Sequence, residues 1–188
     1  MRIVAGKHKG RTIAAPEGRD IRPTSDRARE SLFNILEHRG WGPGGLSPLA
    51  DAHVLDAFCG TGAVGLEALS RGAVHATFMD NSRTALALCR DNLRALGENA
   101  HAQVLQGDCL HPARPRTPCS VVFLDPPYNS GLAGPALIAL AAAGWIAPEA
   151  ICIAETAAKE SLEPPPGFEP LDERRYGAAR LSILRFTD

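Results

Sequence analysis

Residues 53–72 read HVLDAFCGTGAVGLEALSRG, and the pattern changes twice within them. HVLDAF is a short apolar run of strand character. The next glycines break it, and AVGLEALSRG takes up helical character until Gly72 stops it. Gly60, Gly62 and Gly65 satisfy G-x-G-x-x-G literally. They come after a strand and open a helix, the context in which such a loop receives a nucleotide. Asp80 lies 20 residues after Gly60, at the tip of the next apolar run, HATFMD. At that spacing a carboxylate meets a ribose diol. Strand, loop, helix and distal acid together outweigh the plainer reading of a tight turn and a surface aspartate.

The alternation continues outward. SRTALALCRDNLRALG predicts a helix, with Leu86, Cys89, Leu93 and Leu96 at helical spacing. AQVLQGD and SVVFLD predict strands on either side of a Pro-rich loop, a helix covers about 131–143, and AICIAE is a further strand. The end, FEPLDERRYGAARLSILRF, reads as a β-hairpin turning near Gly177. Alternating β and α units imply a mostly parallel sheet with helices on both faces, which the closing hairpin finishes with an antiparallel strand. Upstream, RIVAG and RTIAA flank the basic turn KHKG as two short strands. RPTSDRARESLFNILEHRG is a helix, capped by Ser25 or Asp26, with Leu32, Phe33 and Leu36 on its apolar face and Gly40 at its end. The expected organisation is one domain over 1–188: a basic arm (1–24), a helix (25–40) and an α/β core (51–188).

A pyrophosphate at the glycine loop wants backbone N–H groups and no neighbouring anion. Asp56 stands four residues before Gly60. It would repel a pyrophosphate and suit a cofactor that carries positive charge. S-adenosylmethionine has an ammonium, a sulfonium and a ribose, and no phosphate. The pattern D-x-F-x-G-T-G, Asp56 to Gly62, resembles the first motif of class I methyltransferases. That resemblance implies a Rossmann-like fold with a seven-stranded, mostly parallel sheet and an antiparallel last strand. It also implies a cofactor shell of Asp56, Phe58, Gly60, Gly62, Asp80 with its neighbour Asn81, Asp108 on the adenine amine, and Asp125.

The second decisive stretch is LDPPYNS, Leu124 to Ser130. Its prolines end a strand and stiffen the loop beyond it. An aromatic ring beside two acceptors is a receptor for a flat group carrying NH2. Tyr128 can stack on a nucleobase, an interaction of about 1–3 kcal/mol. The Asp125 carboxylate and the Pro126 carbonyl can accept the two N–H bonds of an exocyclic amine. The amine lone pair is conjugated into the ring, so the loop's task is to aim it at a methyl carbon. In an open α/β sheet Asp56, Asp80, Asp108 and Asp125, all at strand ends, share one edge.

A chain of 188 residues that is 45% hydrophobic and 22% charged suits one soluble domain. No apolar run approaches the ~18 residues of a membrane helix, and MRIVAGKHKGR lacks the apolar core of a secretory signal. The expectation is a cytoplasmic protein with no membrane partner. Five cysteines without C-x-x-C spacing read as reduced thiols, and six scattered histidines predict no metal. Residues 1–30 hold eight Lys or Arg against four acids. They carry +4 (8 − 4), and the rest of the chain −5 to reach the net −1. A basic arm on an acidic body suits a polyanion. Arg2, Lys7, Lys9, Arg11, Arg22 and Arg27 are the candidate RNA contacts. Arg174, Arg175 and Arg180 read better as a solvated hairpin.

Taken together, RIVAGKHKGRTI, RPTSDRARESLFN, DAFCGTGAVGLEALSRGA, DPPY and the GW at 144–145 resemble the bacterial 16S rRNA guanine-N2 methyltransferase family (RsmD-like) over nearly the whole chain. One departure is Ala5, where the family pairs two glycines. The resemblance implies methylation of a guanine N2 in 16S rRNA, of the guanine-966 type, on a 30S assembly intermediate. Asp125, Pro126 and Tyr128 would be the catalytic set and S-adenosyl-L-homocysteine the product. A monomer is expected. Such loops also serve adenine or cytosine in nucleic acid and glutamine in protein, since each acceptor is a planar NH2. An NAD-dependent oxidoreductase and a non-catalytic RNA-binding protein are further alternatives. Asp56 and DPPY speak against the first, and the intact Asp56, Asp80 and Asp125 against the second.

Overall fold

The computed structural model describes residues 1–15 and 26–188. Helix α1 (Asp26–His38) precedes the alternating region. There β1 (His53–Ala57), α2 (Ala63–Ser70), β2 (His75–Asp80), α3 (Arg83–Leu96), β3 (Ala102–Gln106), β4 (Cys119–Leu124), α4 (Ala133–Ala142) and β5 (Ile146–Ala157) succeed one another, and β6 (Phe168–Tyr176) and β7 (Ala179–Phe186) close the chain. The seven strands form one sheet in the order β3-β2-β1-β4-β5-β7-β6. Strands β1 to β5 pair in parallel, and β7 runs antiparallel to both β5 and β6. The expected seven-stranded Rossmann-like sheet is present.

Alternation along the strands separates two apolar layers. Val54, Phe78, Phe123, Ile153 and Leu181 face α1, α2 and α3, while Leu55, Leu124, Ala154 and Leu184 face α4. The Phe33 ring of α1 lies 5.5 Å from that of Phe123 on β4. Helix α3 is bounded as its sequence demands: the Ser82 side chain accepts from Ala85 N, and Gly97 closes it in the left-handed conformation. The end of α1 precedes Gly40, also at positive φ, but its N-cap lies outside the described residues. Strand β5 is longer than the expected AICIAE. It starts at Ile146, with Glu149 at φ 62 and a register break against β4 between Cys119 and Val121.

The N-terminal arm is a hairpin closed by a single antiparallel bridge, Arg2 to Thr12, rather than by two full strands. Its tip does not project. Ile3 and Ile13 are buried in the core. Glu67, an α2 acid with no exposed surface, accepts from Val4 N (2.8 Å) and Ala5 N (3.0 Å), and from Arg71 Nε (2.7 Å). Two backbone donors and a guanidinium satisfy a carboxylate that burial alone would make costly. Beyond it, Glu98 is bonded to His8, Lys7 and His101. Burial pushes the Glu98 carboxyl up, but those three partners outweigh it and hold it below its usual range. Among the described residues, no helix is long and apolar enough to cross a membrane, and no group of three or more His, Cys, Asp or Glu could hold a metal ion. All five cysteines are free and buried.

Candidate active site

Strand order reverses between β1 and β4, so a crevice opens beyond their carboxyl ends. Asp56 on β1 is 2% exposed. Helix α2 begins at the left-handed Gly62 without a side-chain cap. Its open donor Gly65 N–H is taken instead by the Asp56 carboxylate, at 2.9 Å. Burial, against the opposing Gly65 bond and with the help of the Asp80 charge, raises the Asp56 carboxyl to about 7. Asp80 ends β2 and accepts from Gly60 N (3.0 Å) and Ser82 N (2.8 Å). The two acids thus fasten the glycine loop from both sides.

The glycines have separate reasons. A Cβ on Gly65 would stand 2.4 Å from the Phe78 ring, so this glycine lets α2 close on β2. A Cβ on Gly60, at φ 51, would meet nothing within 4 Å: it faces open space. Phe58, between β1 and the loop, is held at φ 58. A bulky side chain in that region is strained by roughly 1–3 kcal/mol, and such strain collects at functional sites. Asn129, just past DPPY, has φ 57.

Asp125 comes directly after β4, where Leu124 pairs with Ala57, and its N–H donates to Ala57 O at 3.3 Å. It is half-buried. Burial, then the charges of Glu155 and Asp56, push its carboxyl well above the ordinary range. The Tyr128 hydroxyl donates to Glu155 Oε1 at 2.6 Å. Glu155 is a β5 acid 7% exposed. Its neighbour Ala154 pairs with Leu124, so Glu155 and Asp125 stand side by side one step beyond that pair. Glu160, in the turn after β5, accepts from Asn129 N (2.8 Å) and Gly131 N (3.0 Å). Asp125 therefore lies near Asp56, and the loop that follows it is held by Glu155 at Tyr128 and by Glu160 at Asn129 and Gly131.

Asp108 stands apart from this row. It lies two residues past β3, is exposed, and accepts from Leu110 N (2.9 Å), with His111 Nδ1 at 2.8 Å. The His111 bond, then Leu110, hold its carboxyl below the usual range. Asn81 is exposed beside Asp80. Of the six basic candidates, Arg2, Lys7, Lys9, Arg11 and Arg27 are exposed. Lys7 lies 2.7 Å from Glu98, and Arg11 Nη2 donates to Ala95 O at 2.6 Å. Arg22 is outside the described residues. Sequence reading missed Glu155, Glu160 and Glu67. Glu155 and Glu67 left a trace, an acid inside the otherwise apolar AICIAETA and AVGLEALS. Glu160, in a polar turn, left none.

Residues 1–185 match the model of a family described as conserved hypothetical protein 95, the RsmD family. The chain belongs to this family. It is 37% identical over 164 residues to the ribosomal RNA small subunit methyltransferase D of Escherichia coli K12, covering 86% of this chain and 77% of that one. The methyltransferase D of Haemophilus influenzae is 33% identical over 181 residues, covering 94% and 89%. A solved Escherichia coli structure bearing the methyltransferase name yhhF superposes with a TM-score of 0.82 at 32% identity, covering 100% and 98% of the two chains. The fold is that of class I methyltransferases. In this RsmD-family chain the departure at Ala5 is accommodated. Ala5 has extended φ −145, whereas a Cβ on Gly6, at φ 77, would lie 1.8 Å from Ser70 O.

Proposed function

We propose that this protein transfers a methyl group from S-adenosylmethionine to the exocyclic N2 amine of a guanine in 16S rRNA, of the guanine-966 type, acting as a monomer on a 30S particle. The observation that carries the reading is the row of acids Asp56, Asp125 and Glu155 across β1, β4 and β5, with Tyr128 tethered beside it. Among the described residues no cation pairs with Asp56 or Asp125. Two neighbouring acids held out of water without a cation call for a positive partner, and the open space over Gly60 leaves room for one. When bound, the cofactor supplies a methyl group on a positively charged sulfur that leaves as a neutral thioether.

The chain's own groups divide the rest. Asp56 would hold the ammonium, and Phe58, Gly60 and Gly62 would line the loop. Asp80 and Asn81 would take the ribose, since each Asp80 oxygen retains a lone pair beyond its backbone donor. Asp108 would meet the adenine amine. Asp125 and the Pro126 carbonyl would accept the two N–H bonds of the guanine amine, while Tyr128 stacks on the base. The guanine must be unstacked to enter, which favours a loop nucleotide. Transfer would then rest on orientation and electrostatics. Asp125 binds a proton more tightly once positive charge has left its neighbourhood, at the moment the methylated amine must lose one. Arg2, Lys7, Lys9, Arg11, Arg22 and Arg27 would hold phosphates. The rRNA methyltransferase names of the relatives support the substrate class.

The test is mass mapping of 16S rRNA after hypomethylated 30S particles are incubated with labelled cofactor. One methyl on a guanine N2 is the expected result. Label on adenine, cytosine or a protein glutamine would replace the acceptor and keep the donor. Tight S-adenosylhomocysteine binding with no label anywhere would overturn the catalytic reading.

A further inference from the structure

Strand β5 is buried at every residue from Ala150 to Ala157, and Glu155 is the acid among them. A carboxylate in such a strand is costly to bury and needs a reason to be there. The reason on view is its bond at 2.6 Å with the Tyr128 hydroxyl, a length typical of a charge-assisted O–H···O bond. We propose that Glu155 is a positioning residue: it holds the Tyr128 hydroxyl and so presets the ring that receives the nucleobase. This inference rests on the methyltransferase reading above.

Geometry explains why a bond at the far end of the ring matters. Tyr128 sits in a loop whose backbone is stiffened by Pro126 and Pro127 and pinned by Glu160 at Asn129 N and Gly131 N. Backbone stiffness leaves the two side-chain torsions free. A tether at the hydroxyl fixes the direction of the ring. It also biases the ring plane, because conjugation keeps the phenolic O–H near that plane. Stacking then requires little further ordering when the base arrives. The same carboxylate stands beside Asp125 on the neighbouring strand and helps to raise its carboxyl. One short segment, 155–160, thus braces the acceptor loop at both ends.

The experiment uses the full chain with Glu155→Ala, Glu155→Gln, Tyr128→Phe and the double variant Glu155→Ala/Tyr128→Phe. Methyl transfer to hypomethylated 30S particles is measured alongside S-adenosylhomocysteine binding. Tyr128→Phe and Glu155→Ala should each lower kcat/KM about ten- to a hundred-fold, the double variant no further, and cofactor affinity should hold. Glu155→Gln, whose amide oxygen still accepts from the hydroxyl, should recover most of the loss. Additive losses, or a Glu155→Gln as poor as Glu155→Ala beside an unimpaired Tyr128→Phe, would overturn the tether. The chain has two tyrosines, so the ring-carbon resonances of selectively 13C-labelled tyrosine give a second readout without substrate. Glu155→Ala should shift and broaden the Tyr128 signal and spare that of Tyr176. An unchanged Tyr128 signal refutes the tether, whatever the substrate. A shifted signal in a protein that methylates no RNA upholds the tether and refutes the base-stacking role.

Discussion

Asp56 is the residue where stability and function pull apart. Its carboxyl is raised from 3.8 to about 7, chiefly by burial. An acid whose folded pKa exceeds its unfolded one favours the fold fully at low pH, and the advantage is lost as pH rises from about 4 to 7. The size is roughly 4 kcal/mol for a shift of three units. A cation bound beside Asp56 reverses the preference and lowers its pKa. Cofactor binding near pH 6.5 should therefore release a proton, and affinity should rise between pH 5.5 and 7.5 and then level off. Calorimetry in buffers of different ionisation enthalpy measures the proton, and a heat independent of buffer would remove Asp56 from the ammonium. Asp56→Asn keeps an acceptor for Gly65 N–H, so it should melt higher than the parent at pH 8 and bind S-adenosylhomocysteine far more weakly. Asp125→Ala should separate the two halves of the site: methyl transfer should vanish while the dissociation constant of S-adenosylhomocysteine, which lacks the sulfonium charge, stays within a few-fold.

At the scale of elements, α2 does two jobs from opposite ends. Its first turn is anchored to Asp56, and Glu67 and Ser70, towards its end, hold the arm through Val4, Ala5 and His8. Glu67→Ala would leave two backbone donors and Arg71 Nε without their acceptor and would take the carboxylate away from the buried Arg29 guanidinium, 3.7 Å off, while Arg71 Nη1 keeps Glu37. Breaking a buried ion pair in this way costs about 3–5 kcal/mol, so urea denaturation should show a midpoint shift of that size with an unchanged slope. A loss below about 1 kcal/mol would mean that Ile3, Ile13 and the bonds to Ser70 and Glu98 hold the arm without it. This element also shows what could be read in advance. Its start, its stop and the packing of Gly65 derive from local chemistry, as do the ends of α3 at Ser82 and Gly97. The strand-end acids were legible because the alternation of strands and helices puts them on one edge. The roles of Glu67, Glu155 and Glu160 were not, because each is defined by a partner 27 to 63 residues away, or about 30 for Glu160. The docking of the arm is not legible for the same reason: a free basic hairpin and a docked one have the same sequence.

Over the whole molecule, the docking of the arm changes how its charge can be tested. Removing residues 1–20 would take Ile3 and Ile13 out of the core and the tip away from Glu67 and Glu98. Any loss of RNA would then be confounded with loss of fold. Arg2, Lys9 and Arg27 offer a cleaner route, since the equally exposed Lys7 and Arg11 are engaged with Glu98 and with Ala95 O. If these three cations hold phosphates, each neutralised phosphate contributes about 0.7 to the salt slope on single-stranded RNA. The triple variant Arg2→Ala/Lys9→Ala/Arg27→Ala should therefore bind 16S rRNA more weakly at low salt, with the slope of log K against log salt reduced by about 2. Cofactor affinity and melting temperature should match the parent. Surface substitutions of this kind usually stay within about 0.5 kcal/mol, so a large stability change would mark the variant as misfolded rather than discharged. An unaltered slope would place the RNA on another face. The hairpin bearing Arg174 and Arg175 would be next, although Asp172 and Glu173 already neutralise part of its charge.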